Sequence, residues 1–366
     1  MTGGPVGVGL IGAGTISDMY LTNLTSFPDV AVRMVSDLDV PRAVAQATKH
    51  GVPTGGTVAE LLADPAIEIV VNLTIPAAHV EVGLSALDSG KHVWTEKPLG
   101  LDRPSVRKLL DQAREKGLRV ASAPDTVLGA GLQSARRAVD AGRIGVPQSG
   151  LALFQSPGPE SWHPAPEFLF QYGAGPLLDI GPYYLTELVL LLGPVGRVTA
   201  AGARFRDTRV IASGPRAGTE FPVTVPTTVS ALVEFVAGGS AQVLFSFDSA
   251  LRRTTLEVTG TLGSLVLPDP NRFDGSTQLH LMGSEQPVEL PAEGHAATRG
   301  TGVLELARAI RAGVPERASG DIAYHVLDVM LAIEESLAAG HPVAVQSRVG
   351  VPPPLPADWD PYARTL

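Results

Sequence analysis

A chain of 366 residues, 44% hydrophobic and 18% charged, has the composition of an ordinary globular protein and the length for two domains. A net charge of −9 without any basic cluster argues against nucleic acid or an anionic membrane surface as partner. The absence of cysteine removes disulfides, thiol nucleophiles and thiolate metal sites, and no metal site is expected.

The N-terminus enters an apolar strand almost at once, Val6–Ile11, with no charged segment, apolar stretch and cleavage site before it, so a cytoplasmic protein is expected. Further apolar strands are predicted at Ala31–Ser36, Ile67–Leu73, His92–Thr95 and Arg119–Ser122. Helical stretches fall between them, at Ile16–Thr25, Pro41–Lys49, Val58–Ala63, Ala77–Ser89 and Arg103–Lys116. This alternation implies an α/β domain over residues 1–123, with a parallel sheet covered on both faces. From Gln148 the pattern changes. Strands at Ser149–Gln155, Arg197–Phe205, Thr227–Phe235, Ala241–Phe247, Thr254–Thr259 and Leu262–Leu267 follow with few helices between them. They predict an antiparallel sheet in an α+β domain over residues 124–366. Helices return at Tyr183–Leu192, where Pro182 suits the first turn, and at Val303–Ala312 and Asp321–Ala339, with the C-terminal segment packing back on the first domain. The longest apolar run, Leu185–Leu192, is interrupted by Glu187 and is too short to span a bilayer.

Three motifs carry chemistry. The first strand runs into Gly12-Ala13-Gly14-Thr15-Ile16-Ser17, a variant of the dinucleotide fingerprint in which serine stands at the third glycine. Gly12 permits the tight turn, and Gly14 lets backbone approach a pyrophosphate seated on the helix start at Thr15 and Ile16. The second strand is followed by Asp37, placed to accept hydrogen bonds from ribose hydroxyls and to repel a 2′-phosphate. No arginine follows directly (Leu38, Asp39), so NAD is expected over NADP. Leu73, Thr74, Pro76 and His79, at the end of Ile67–Leu73 and in the loop after it, form a second candidate cofactor wall, in which His79 reads as a helix-turn packing residue rather than a proton carrier. The second motif is Glu96-Lys97-Pro98, closing Gly90-Lys91-His92-Val93-Trp94-Thr95. The chain has five lysines, at 49, 91, 97, 108 and 116, and Lys97 alone follows a strand at its carboxyl end. The third motif is Gly173-Ala174-Gly175…Asp179…Tyr183, whose Asp179 and Tyr183, four residues apart, share a helix face. Alcohol oxidation needs a base for the hydroxyl proton, and tyrosine serves near neutral pH only if a cation stabilises its phenolate. Lys97 and Tyr183 are therefore candidate catalytic partners, with Asp179 orienting substrate or lysine. Asp125, Thr126, Trp162 and His163 are candidate substrate contacts, the last two in the polar loop Pro157–Pro164.

On these three motifs, in this order, the chain resembles the glucose–fructose oxidoreductase/inositol dehydrogenase/rhizopine-catabolism (Gfo/Idh/MocA) family over nearly its whole length. The resemblance implies a Rossmann domain joined to an α/β domain on a large, mostly antiparallel open sheet, through which such proteins commonly form homodimers or homotetramers. It implies NAD(P)-dependent oxidation or reduction of sugars, cyclitols or related polyols. Lys97 and Tyr183 become the catalytic pair, and Asp179 a substrate carboxylate. Many members carry histidine at the position of Tyr183; tyrosine there is similar to the dihydrodiol dehydrogenase and glucose–fructose oxidoreductase branch. Where many members have an Asn-x-Arg loop, this chain has Ala123-Pro124-Asp125-Thr126, which departs from familiar substrate sets. Two alternatives stand beside a dehydrogenase: a glycoside-processing enzyme that retains and recycles its nicotinamide, and a non-catalytic sugar sensor.

Overall fold

The computed structural model describes residues 3–366, in two compact units. The first gathers the chain up to Ala130 with Glu293–Tyr324 and Pro353–Leu366; the second gathers Gly131–Ala292 with His325–Pro352.

In the first unit, β1 (Val6–Ile11), α1 (Thr15–Leu24), β2 (Val30–Ser36), α2 (Val40–Lys49), β3 (Thr54–Gly56), α3 (Val58–Ala63), β4 (Ile69–Asn72), α4 (His79–Asp88), β5 (His92–Thr95), α5 (Arg103–Glu115) and β6 (Val120–Ser122) alternate. The strands form one parallel six-stranded sheet in the order β3-β2-β1-β4-β5-β6. β1 and β4 are buried at every position, as strands covered on both faces must be. Asp39 and Asp102 cap α2 and α5, each with a proline in the first turn, and Thr57 with Glu60 forms a capping box on α3. Strand order reverses between β1 and β4, the kind of point at whose carboxyl ends open α/β sheets bind ligands.

The second unit holds α6 (Ala130–Asp140, from its second residue), β7 (Pro147–Gln155), α7 (Gly175–Leu192), β8 (Val195–Ala203), a small hairpin of β9 (Thr208–Val210) and β10 (Glu220–Pro222), then β11 (Thr228–Phe235), β12 (Ser240–Ser246), β13 (Arg253–Gly260), β14 (Gly263–Val266), β15 (Thr277–Leu281) and β16 (Val288–Leu290). The chain then returns to the first unit as α8 (Thr301–Ala312), and α9 (Gly320–Ala339) leads back to β17 (Val343–Ala344). Nine strands make one sheet, β16-β15-β14-β13-β7-β12-β11-β8-β17, antiparallel except for β7 beside β12. The large, mostly antiparallel sheet is thus present. α7 packs on β7, β11 and β12, with the rings of Tyr184 and Phe245 centred 5.5 Å apart.

α7 corrects one expectation. It starts at Gly175, not Tyr183, and Pro176 takes the first turn while Pro182 lies inside. An interior proline costs one backbone hydrogen bond, and burial of nearly every residue of this helix offsets that cost. Asp179 and Tyr183 remain one turn apart on the same helix.

Glu187, on the same helix, is 1% exposed, and one of its carboxyl oxygens has no hydrogen-bond partner. Burial pushes its pKa from 4.5 up to about 8, against the opposing pull of Arg136. A carboxyl whose proton is held more tightly in the folded state contributes fully below its unfolded pKa, and that contribution is lost as pH rises through the folded one. Between those values the loss is about 1.4 kcal/mol per pH unit. Glu187→Gln removes this group, so the variant's Tm relative to wild type should climb with pH between 5 and 8, on the order of 2–4 °C per unit. A difference flat across that range would mean that Glu187 titrates as an ordinary carboxylate.

The C-terminal tail is a strap on the first unit. Asp29, fully buried, accepts from Thr365 N at 2.9 Å and Leu366 N at 3.1 Å, and from Arg308 Nε at 2.8 Å. Arg308 also lies over the Trp359 ring. Among the described residues no helix is long and apolar enough to cross a membrane, and no cluster of three His, Asp or Glu could hold a metal ion.

Candidate active site

The nucleotide turn follows β1. Gly12 has φ +107°, and a Cβ there would stand 2.7 Å from Leu73 O, so only glycine fits. Gly14, at the N-cap of α1, has open space above its Cα and brings no side-chain cap to the helix start. An uncapped helix N-terminus beneath a bare glycine is what a pyrophosphate requires, and the residues present fit a dinucleotide. Thr15 and Ile16 form the first turn of α1. Ser17, at the third-glycine position, is fully buried: its hydroxyl donates to Gly14 O at 2.6 Å and accepts from Gln46 Nε2 at 2.9 Å, tying α1 to α2.

Asp37 stands at the carboxyl end of β2. Its Oδ2 accepts from Ala13 N at 2.7 Å; its Oδ1 accepts from Asp39 N at 2.9 Å and Arg42 Nη2 at 2.6 Å. Burial works to raise its pKa, but Arg42 and the two backbone donors hold it below the usual carboxylate value. Arg42, half-exposed on the first turn of α2, is the arginine that inspection of the two residues after Asp37 does not reveal.

Thr74 and Pro76 follow β4 in a loop whose Thr74 N and Oγ1 both donate to Asn72 Oδ1. His79 is buried at the start of α4 and bridges two backbones: its Nδ1 is 2.7 Å from Pro98 O and its Nε2 3.0 Å from Thr74 O. Desolvation drives its pKa down, and a neutral imidazole donates to only one of these carbonyls. His79 therefore joins the loop after β4 to the loop after β5. In that second loop the Lys97-Pro98 bond is cis, Glu96 Oε2 accepts from Lys97 N at 3.1 Å, and Lys97 is half-buried.

Asp125 and Thr126 are both fully buried in the turn after β6. Asp125 Oδ2 accepts from Gly300 N at 2.7 Å and Gly302 N at 3.3 Å, while Arg299 lies 3.5 Å from Oδ1. Burial pushes Asp125 up to about 6, against Arg299 and with the help of Glu96. Its carboxyl is committed to the start of α8. The sequence gives no sign of that bond, because 175 positions separate Asp125 from Gly300.

In the second unit, Tyr183 is buried and Asp179 half-buried on α7. Trp162 is 63% exposed and stands edge-on to His163, which in turn stands edge-on to Phe168. The loop carrying Trp162 is pinned by Arg209 of β9, a residue that sequence inspection passes over. Its buried guanidinium binds Glu160, Asp248 and Pro157 O and lies 4.9 Å from the Phe170 ring centre.

Residues 6–123 match the model of an oxidoreductase family with an NAD-binding Rossmann fold, and residues 132–266 match the GFO/IDH/MocA C-terminal domain. The chain belongs to the Gfo/Idh/MocA family. Like the other proteins those models describe, it is an oxidoreductase whose N-terminal Rossmann domain binds NAD. Among curated members, trans-1,2-dihydrobenzene-1,2-diol dehydrogenase of Sus scrofa is 28% identical over 316 residues, covering 83% of this chain and 86% of that one. The 1,5-anhydro-D-fructose reductase of Ensifer adhaerens is 29% identical over 265 residues, covering 70% and 74%. The solved structure of levoglucosan dehydrogenase in complex with NADH and L-sorbose shares the fold, with TM-score 0.82 and 22% identity over 93% of this chain and 99% of that one. An NAD-binding oxidoreductase from Klebsiella pneumoniae does so at TM-score 0.80 and 23% identity, over 93% and 99%. Within this Gfo/Idh/MocA member, the nucleotide turn, Asp37, the Thr74 loop, His79, Glu96 and Lys97 lie in the first unit, and Asp179, Tyr183, Trp162 and His163 in the second.

Proposed function

We propose that this oxidoreductase transfers hydride between NAD and a hydroxyl or ketone carbon of a sugar, cyclitol or related polyol. NAD, when bound, supplies the hydride acceptor. The chain supplies the rest: Tyr183 takes the hydroxyl proton, the Lys97 ammonium lowers the phenol's proton affinity, and Asp179 holds a substrate hydroxyl. Residues 1–123 serve the cofactor; residues 124–366 serve the substrate and, through the nine-stranded sheet, a second copy of the chain. The observation that carries this reading is the Glu96-Lys97-Pro98 loop at the carboxyl end of β5, in the same sheet as a glycine turn fitted to a pyrophosphate. Support for NAD over NADP comes from the Asp37 carboxylate, and for the substrate class from relatives named for a diol and an anhydrosugar.

The test is nicotinamide reduction by the purified protein, with NAD and NADP separately, over a panel of monosaccharides, anhydrosugars, cyclitols, dihydrodiols and glycosides. Turnover with a polyol and NAD is the expected result. Cofactor binding without net turnover would overturn it. Release of an aglycone from a glycoside would then point to a retained, recycled nicotinamide, and its absence to a sensor.

A further inference from the structure

Tyr20 lies in α1, one and a half turns beyond the nucleotide turn, and it is fully buried together with Trp94 of β5. Among apolar neighbours such as Leu21 and Leu24, phenylalanine would fill the same space. The hydroxyl is the part that needs explaining. It accepts from Trp94 Nε1 at 3.1 Å and donates to Glu96 Oε1 at 2.8 Å.

The direction of this chain is set by chemistry. An indole N–H can only donate, so the Tyr20 oxygen is the acceptor, and its single proton is left for Glu96. Burial, with Glu96 and Asp125 nearby, drives the phenol's proton affinity well above its usual value, so Tyr20 stays a donor. Trp94 is itself closely packed: a Cβ on Gly302 would fall 1.9 Å from its ring, so α8 rests directly on the indole. Glu96 is then held at both oxygens, Oε1 by Tyr20 and Oε2 by Lys97 N. Two-point attachment fixes the carboxylate plane, and with it the backbone from which the Lys97 side chain departs.

We propose that Tyr20 is a positioning residue for Lys97, acting through the Glu96 carboxylate. α1 thereby carries both the helix start that faces the pyrophosphate and the hydroxyl that sets the lysine loop. The functional half of this inference rests on Lys97 being the proton-relay lysine; the positional half does not.

The two halves can be read separately. With only five lysines, and an α-amino signal set apart by its lower pKa, each lysine dimethylammonium signal can be resolved after reductive methylation with ¹³C-formaldehyde, with Lys97→Arg assigning that of Lys97. In Tyr20→Phe, the Lys97 signal is expected to move in position and in titration midpoint, while those of Lys49, Lys91, Lys108 and Lys116 stay in place. A purely structural tyrosine would shift all five or none, and either pattern overturns the proposal. On any substrate turned over by wild type, Tyr20→Phe should lose about tenfold or more in kcat, with the NADH dissociation constant, read by fluorescence titration, within about threefold. A moved Lys97 signal with unchanged kcat, where Lys97→Ala is inactive, overturns the functional half alone. Turnover by Lys97→Ala at the wild-type rate would instead sink the relay reading. Should Tyr20→Phe fail to fold, Glu96→Ala breaks the same link from its other end and should displace the same signal; Glu96→Gln, which keeps an acceptor oxygen, should displace it less.

Discussion

Lys97→Ala and Tyr183→Phe are each expected to lower kcat by about 10²-fold or more, while cofactor affinity stays within a few-fold of wild type. The size follows from the chemistry required. A tyrosine with pKa near 10 is about one part in a thousand phenolate at pH 7. The proposed relay asks the lysine ammonium for about 4 kcal/mol, which is roughly three pKa units. On that proposal the phenolate would come within reach at neutral pH, and removing the cation would return the deficit. Tyr183→Phe would remove the proposed base, leaving water to take the proton. Steady-state kinetics with a fluorescence titration of NADH separates kcat from binding. Near-wild-type turnover in Tyr183→Phe alone would move the base elsewhere; in both variants it would end the relay assignment. Asp179→Asn should chiefly raise KM, because a residue that orients substrate acts in the ground state and the transition state alike.

The parts of this molecule legible in its sequence are those in which short-range pattern and burial coincide. β1 and β4 are dominated by apolar residues because both faces of their sheet are covered, and Gly12-Ala13-Gly14 announces a turn whose first position only glycine can take. Asp179 and Tyr183 fall on one helix because four residues make about one turn. The parts that stayed hidden are of two kinds. Short elements such as β3, the β9–β10 hairpin, β16 and β17 have two or three residues each and draw their identity from neighbouring strands, so no periodicity marks them. α7 begins earlier than its sequence predicts because Pro182 looks like a first-turn proline, whereas packing carries the helix through it. The second kind is the long-range polar contact. Tyr20 reaches Glu96 across 76 positions, Asp125 reaches Gly300 across 175, and Arg209 reaches Glu160 across 49. A buried charge or hydroxyl needs a partner, and nothing in the sequence states which one it will find.

Asp37→Ala is expected to raise the NADP/NAD ratio of kcat/KM by about 10²-fold, equivalent to about 2.7 kcal/mol. The proposal gives cofactor choice to two charges at the end of β2, and they are paired: Arg42 Nη2 sits 2.6 Å from Asp37 Oδ1. In wild type, on this proposal, the carboxylate would favour ribose hydroxyls and repel a 2′-phosphate, while Arg42 would offset part of that repulsion. Preference for NAD should therefore be real yet weaker than a lone aspartate would impose. Removing the carboxylate deletes the repulsion and leaves the Arg42 guanidinium without its partner, able to meet a phosphate through paired donors. The same substitution takes away the acceptor for Ala13 N, so affinity for both cofactors should fall and only the ratio is diagnostic. Arg42→Ala gives the opposite test. It uncovers the carboxylate and should push the ratio further towards NAD, and in the Asp37→Ala background it should cancel most of the gain. A ratio unmoved by Asp37→Ala would mean that neither residue faces the ribose, and that the choice of cofactor is made elsewhere in the turn.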